Sequence, residues 1–175
     1  MKLILLIILT EMFMKVYLGL GSDLGDRIGN IRQAVSRIEE NIGFVFSASS
    51  LYETEPWGFK SETSFLNIVL ACTTEFSGSE ILDRILEIET GFGRIRSGKG
   101  YESRSIDIDI LFYGDLIVNE ETLIIPHPKI SERRFVLVPF AEIAPDFIHP
   151  LLRKTIKELL SECKDESKVV FAGIL

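Results

Sequence analysis

Apolar residues fall in short runs whose period changes along the chain, and each period predicts an element. Val16 to Leu20 is an apolar strand closed by Gly21-Ser22-Asp23. Ile28, Ile31, Val35, Ile38 and Ile42 then recur at spacings of three and four, which places them on one helix face. Asp23 or Ser22 is the expected cap of that helix, and Asn41-Ile42-Gly43 its expected end. Phe44 to Glu53, rich in β-branched and aromatic residues, predicts one strand. A loop follows from Pro56-Trp57-Gly58 to Thr63. Ser64 to Glu75 alternates cleanly, with Leu66, Ile68, Leu70 and Cys72 on one face and Phe65, Asn67, Val69 and Ala71 on the other. Ser77-Gly78-Ser79-Glu80 has capping-box spacing and opens a helix carrying Ile81, Leu82, Ile85, Leu86 and Ile88, which stops at Gly91. After a glycine- and arginine-rich loop, Ser105 to Tyr113 is another strand. Pro126-His127-Pro128 must be extended or turned. Phe135 to Ile143 is an apolar run ending at Pro145, Thr155 to Cys163 reads as a short helix, and Lys168 to Phe171 as a last strand. The order β-α-β-β-α-β is the split βαβ pattern of a ferredoxin-like α+β domain. Such a domain has an antiparallel sheet with both helices on one face, leaving the other for catalytic loops.

Composition narrows the function. The chain has 175 residues, 46% of them apolar and 26% charged, enough for one packed domain. Lys and Arg number 19 against 26 Asp and Glu, a net charge of −7 that disfavours broad binding to nucleic acid or anionic membrane. Two cysteines, Cys72 and Cys163, are too few for a disulfide scaffold and fit a reducing, cytoplasmic setting. Residues 3–9 form an apolar run behind Lys2, too short for a bilayer span of about 20 residues and followed by no small-residue cleavage site. Met14-Lys15-Val16 reads as a natural start, so residues 1–13 are expected to be an extension or a mis-assigned upstream start, and residues 14–175 one domain. A monomer is expected.

The strand Ser105-Ile106-Asp107-Ile108-Asp109-Ile110 carries the sharpest chemical signal. Alternation sets Asp107 and Asp109 on one face, their Cα atoms about 6.6 Å apart. Two carboxylates so close repel each other, and divalent cations relieve that, holding two ions ~4 Å apart for phosphoryl chemistry. The alternative is the solvent face of an edge strand. Upstream, Arg94, Arg96, Lys99 and Arg104 invert the global charge within eleven residues and suit phosphate oxygens, unless they form only a solvated loop. Gly19, Gly21 and Gly25 miss the dinucleotide fingerprint, and Gly93 to Lys99 fails as a P-loop because Gly100 follows where Ser or Thr is needed. His127, between two prolines on a rigid, exposed segment, can meet phosphate or metal, or be a simple loop residue. Thr54, Glu55 and Trp57 precede a strand that puts Phe65 and Asn67 on one face. An aromatic to stack and an amide to read donors and acceptors suit a flat heterocycle; ordinary packing is the alternative. Cys72, on the most apolar strand face, is expected to be inert.

Leu20-Gly21-Ser22, Tyr52 to Pro56, Phe65-Leu66-Asn67, Glu89 to Arg96, Arg104 to Gly114, Pro126-His127-Pro128, Arg133 to Phe135 and Glu142 to Pro145 occur in an order and spacing that resembles the 6-hydroxymethyl-7,8-dihydropterin pyrophosphokinases of folate biosynthesis. The resemblance implies transfer of the β,γ-diphosphoryl group of MgATP to the pterin hydroxymethyl oxygen, releasing AMP. By the same resemblance Asp107 and Asp109 would bind two Mg²⁺ ions. Glu89, Arg96, His127 and Arg133 would hold ATP, with Tyr101 able to stack. Arg94 and Arg104 would sit on a loop that closes over the triphosphate. The pterin would lie between Trp57 or its neighbours and Phe135, read by Asn67, Thr54 and backbone groups, with Glu55 beside it. Family members often carry Trp-Gly-Pro-Arg before the metal strand; here Tyr101-Glu102-Ser103-Arg104 stands there, and Glu102 adds negative charge near the triphosphate. Asp23 stands where Asn is common. Rival readings are a nucleotide sensor without turnover and a two-metal nuclease, disfavoured respectively by the paired carboxylates and by the net acidity.

Overall fold

The structure is a computed structural model and describes residues 13–57, 63–93 and 104–175. Its strands and helices run β1 (Met14–Ser22), α1 (Arg27–Asn41), β2 (Phe44–Ala48), β3 (Leu51–Thr54), β4 (Phe65–Thr74), α2 (Gly78–Gly91), β5 (Asp107–Tyr113), β6 (Val118–Asn119) and β7 (Ile124–Ile125). A 3₁₀ turn (Ile130–Glu132), α3 (Arg134–Ile143), α4 (Ile156–Glu162) and β8 (Val169–Gly173) complete it. The main sheet has the order β5-β1-β4-β3-β8, with β2 pairing β4 beyond β3, and its pairings are antiparallel. Among the described residues no helix is long and apolar enough to cross a membrane.

The expected alternation decides the two faces. Val16, Leu18, Leu20, Leu66, Ile68, Leu70, Cys72, Ile106, Ile108 and Ile110 bury against Ile31 and Ile38 of α1 and Ile81, Ile85 and Ile88 of α2. Each such side chain removed from water is worth roughly 1.5–3 kcal/mol. The capping box at Ser77 and Glu80 opens α2 as predicted. The cap of α1 is Asp26, whose carboxylate accepts from Gly29 N at 3.0 Å; Ser22 and Asp23 are engaged elsewhere.

The predicted single strand from Phe44 to Glu53 is two strands, interrupted at Ser49-Ser50. Ser49 N still donates to Val69 O at 2.9 Å, but Ser49 Oγ accepts from Val69 N at 3.0 Å and Ser50 gives its N–H and hydroxyl to Glu142 at 2.9 and 2.8 Å, so side chains take over from the ladder there. The second sheet face is also not left wholly to loops. The split βαβ unit keeps α1 and α2 together on one face, but α3 and α4 cover half of the other. Val136, Leu137 and Phe140 of α3, with Ile156 and Leu159 of α4, pack on Tyr17, Val69, Ala71, Leu111 and Phe112. Pro139 lies inside α3, a helix-breaking signal that tertiary packing overrides. An irregularity between Tyr17 and Leu18 in the β1–β5 register skips one residue, so Leu111 and Phe112 both join this second core. The uncovered half of the face holds the first residues of β4 and β5 and the end of β1.

Candidate active site

Across that half, Gly19 of β1 lies between Val69 and Asp109, and Gly21 lies between Asn67 and Asp107. Two glycines on one face of a central strand leave a floor without side chains. A Cβ at Gly19 would stand 3.3 Å from Leu111 Cδ2, and one at Gly21 would stand 3.2 Å from Asn67 Oδ1. Above the floor opens a cleft of about 710 Å³, solvent at its mouth included, lined by Thr54, Glu55, Trp57, Phe65, Asn67 and Phe135. Asn67 Nδ2 donates to Thr54 Oγ1 at 2.8 Å, and both residues are buried, so the amide is held in one orientation. The Trp57 and Phe135 rings are 6.2 Å apart, tilted by 54°. A flat ring between two others needs about 7 Å, two layers at ~3.5 Å each, so this pair is too close to sandwich one as it stands.

A second cleft, about 1010 Å³ with its open mouth, runs between α2 and the segment from Glu121 to Pro128, lined by Leu82, Ile85, Glu89, Leu123, Ile124 and His127. Arg104, Asp107, Asp109 and Arg133 line both clefts, so the two carboxylates stand where the clefts meet. Arg104 Nη1 is 2.6 Å from Asp107 Oδ1, and Arg133 Nη1 donates to Asp109 Oδ2 at 3.0 Å. His127 Nε2 lies 3.8 Å from the same Asp109 oxygen and 3.3 Å from Arg133 Nη1. The Arg133 guanidinium also stands 5.3 Å from the Trp57 ring centre and 5.7 Å from that of Phe135, linking the aromatic cleft to the charged one.

Asp109's side chain is 36% exposed, yet it sits deep among its neighbours. That desolvation, and next the charge of Asp107, hold its carboxyl above the ordinary carboxylate range against the pull of His127 and Arg133. Burial keeps the His127 imidazole below its usual value, with Asp109 opposing and Arg133 reinforcing. His127 is half-buried rather than exposed, because its N–H donates to Leu111 O at 3.0 Å and draws the segment along β5. Glu89, only 2% exposed at the end of α2, accepts from Ile108 N at 3.0 Å.

The structure thus gathers Thr54, Glu55, Trp57, Phe65, Asn67 and Phe135 around one cleft and Glu89, His127 and Arg133 around the other, with Arg104, Asp107 and Asp109 between. Arg94, Arg96 and Tyr101, with Lys99 and Glu102, lie outside the described residues. Two features escaped sequence reasoning. Gly19 and Gly21 match no nucleotide fingerprint, yet glycines two apart in a strand share a face, and that spacing is the signal that marks the floor. Asp23, expected only as a helix cap, instead accepts from Arg104 N at 2.6 Å. Cys72 is fully buried, and desolvation pushes its thiol up to about 12, as suits an inert side chain.

The family described as 7,8-dihydro-6-hydroxymethylpterin-pyrophosphokinase matches residues 17–145. The chain belongs to this family. Its activity is pyrophosphokinase activity in folate biosynthesis, with ATP as co-substrate. The 2-amino-4-hydroxy-6-hydroxymethyldihydropteridine pyrophosphokinase of Aquifex aeolicus is 42% identical over 147 residues, covering 84% of this chain and 91% of that one. A folic acid synthesis protein of Dictyostelium discoideum is 40% identical over 144 residues, 82% of this chain but 22% of that longer protein. The fold matches that of wild-type Plasmodium falciparum HPPK-DHPS with a TM-score of 0.71 at 16% identity, over 86% of this chain and 44% of that one. The pyrophosphokinase fold therefore persists where little sequence identity does.

Proposed function

We propose that the aromatic cleft holds the pterin, that the second cleft holds ATP, and that the diphosphoryl group passes between them at Asp107 and Asp109. The observation that carries this reading is that two separate clefts share only one charged boundary, formed by Arg104, Asp107, Asp109 and Arg133. The pterin lies over Gly19 and Gly21, between Phe65 and Phe135, with Trp57 beside Phe135 and Asn67 and Thr54 reading its edge. Glu89 and His127 shape the ATP side, and Arg133 holds phosphate oxygens while ordering Asp109.

Magnesium fits the donor set. Among the described residues no group of three acidic, histidine or cysteine side chains forms a closed cage. Mg²⁺ needs none, since it is bound by one or two carboxylates, water and the substrate's own phosphates. Asp107 and Asp109 would hold two such ions, which when bound neutralise triphosphate charge. The protein's own share is positioning and charge balance rather than covalent chemistry. The pterin hydroxymethyl oxygen forms its bond to the β-phosphorus as the bond from that phosphorus to the α,β-bridging oxygen breaks; AMP leaves with the bridging oxygen, and the hydroxyl proton is released to solvent. Arg104 faces the transferring group and offsets its charge. The two cysteines suit a reducing, cytoplasmic setting, and a net charge of −7 opposes self-association, in keeping with a monomer acting on small molecules.

The test is a product assay with MgATP and 6-hydroxymethyl-7,8-dihydropterin, following AMP and ADP separately on the full chain and on protein starting at Met14. AMP and pterin diphosphate in equal amounts are expected from both. ADP alone, or no nucleotide product from the full chain, overturns the reading; activity lost only on trimming overturns the view of residues 1–13 as an extension.

A further inference from the structure

The turn joining β1 to α1 is tied to both walls of the pterin cleft through residues that take no part in the steps above. Asp23 is 2% exposed. Its Oδ1 accepts from Arg104 N at 2.6 Å, and its own N–H donates to Arg104 O at 3.2 Å, a two-way clasp on one residue 81 positions away. Its Oδ2 accepts from Thr63 Oγ1 at 3.4 Å. Beside it, Ser22 Oγ donates to Ser105 O at 2.6 Å. At the start of α1, Arg27 Nη1 donates to Ser64 O and Ser64 Oγ, each at 2.8 Å, and to Glu53 Oε1 at 2.9 Å.

One short turn therefore fixes Arg104 and Ser105 on one wall and Thr63 and Ser64 on the other. Two residues past Thr63 stands Phe65; on Arg104 itself is the guanidinium that meets Asp107 Oδ1. Burying a carboxylate is costly unless hydrogen bonds compensate it, and here the compensation comes from the two segments that frame the reaction. We propose that Asp23 is a positioning residue for the transfer, holding the Arg104 backbone so that its guanidinium faces Asp107 at a set distance from the Phe65 wall. Asp23 touches neither substrate; it acts through Arg104. The inference rests on the role given to Arg104 above.

A double-mutant cycle on the full chain tests it, using Asp23→Ala, Arg104→Ala, the double variant and Asp23→Asn. Misplacing a catalytic group by about 1 Å can cost on the order of 10²-fold in rate, and that is the kcat loss expected for Asp23→Ala. KM for ATP and pterin should stay within about threefold, as for an interaction made only in the transition state. In the Arg104→Ala background Asp23→Ala should cost less than about threefold more, because the two act as one unit. Asp23→Asn, whose amide oxygen accepts the same N–H, should keep kcat within about threefold of wild type. Should Asp23→Ala not fold by circular dichroism, Asp23→Ser, too short to reach Arg104 N, takes its place in the cycle. An undiminished kcat, a full loss repeated in the Arg104→Ala background, or an Asn variant as slow as Ala overturns the proposal. If Arg104→Ala itself is fully active, the role given to Arg104 fails and the inference falls with it. A slow Arg104→Ala with additive Asp23→Ala leaves that role standing and removes only Asp23.

Discussion

Placing a methyl group on Gly21 asks whether the pterin rests on the glycine floor. The added Cβ would lie 3.2 Å from Asn67 Oδ1 and 3.6 Å from Phe65 Cδ1. Optimal contact is about 3.5–4.0 Å, so Asn67 rather than Phe65 must move. Asn67 is buried and its amide is held by Thr54 Oγ1 at 2.8 Å, so yielding means weakening that bond. A net hydrogen bond is worth about 1 kcal/mol, close to a fivefold change in affinity. The methyl also takes space from the ring, and the two effects together should weaken pterin binding roughly 5- to 30-fold, or about 1–2 kcal/mol. Replacing glycine by alanine within a strand tends to stabilise by about 0.5–1 kcal/mol, so the fold should survive. The assay is a pair of separate calorimetric titrations of Gly21→Ala, one with the dihydropterin and one with a non-hydrolysable MgATP analogue. Only the first should weaken, with the nucleotide constant within about twofold of wild type. An unchanged pterin constant, or an equal loss for both ligands, would refute the placement.

Asp109→Asn should be at least as stable as wild type at pH 7 while AMP formation falls on the order of 10³-fold, because one of the two carboxylates that would hold Mg²⁺ against the transferring charge is lost. The raised carboxyl favours the folded state only when protonated, so any thermal advantage of the variant should shrink as pH falls toward the ordinary range of 3.8. His149 is buried, accepts from Leu151 N and Leu152 N at Nδ1, and has its pKa lowered by desolvation. Its contribution is therefore present above pH 6.5 and lost as pH falls below it; His149→Asn should flatten part of the decline in melting temperature between pH 7 and 5, with the similarly depressed His127 contributing to what is left. A thiol reagent on the native protein should modify Cys163, which is partly exposed, and leave Cys72 untouched until unfolding; rapid labelling of both would contradict the core packing.

What was legible in the sequence is what alternation alone can settle. Leu66, Ile68, Leu70 and Cys72 fall in one core and Val69 and Ala71 in the other, as period two requires, and Ile106, Ile108 and Ile110 turn away from Asp107 and Asp109. What stayed hidden depends on partners far along the chain. The strand break at Ser50 is imposed by Glu142, 92 residues on, and the diversion of Asp23 from helix capping by Arg104, 81 residues on. The helix from Arg134 to Ile143 carries a helical pattern at Val136, Leu137 and Phe140, but Pro139 masks it until burial against the sheet overrides the local cost. The half-buried state of His127 likewise follows from one backbone bond to Leu111, which no local signal announces.

The arrangement of the three strands under the cleft also constrains how a two-ring substrate would lie. Gly21 is the single residue between Asn67 on β4 and Asp107 on β5, so the two side chains are separated by two strand spacings, about 9.6 Å. With a side chain at Gly21 or Gly19 that span would be divided into two narrow slots; without one it is a single flat bed. A fused bicyclic ring laid across the strands would present its amino and carbonyl edge to Asn67 and Thr54 and carry its one-carbon arm toward Asp107 and Asp109. Turned by half a rotation, the arm would lie at the buried amide, about two strand spacings from Asp107, and the ring carbonyl would face carboxylates that cannot donate to it, a costly exchange. The floor glycines supply the length, and the contrast between a buried amide at one end and a charged boundary at the other supplies the direction. A substrate analogue lacking only the hydroxymethyl arm should therefore still bind, because the edge recognised at Asn67 is intact, whereas one with its ring amino group removed should lose affinity although its reacting arm is unchanged. Equal losses for the two analogues would mean that the bed does not orient its ligand in this way.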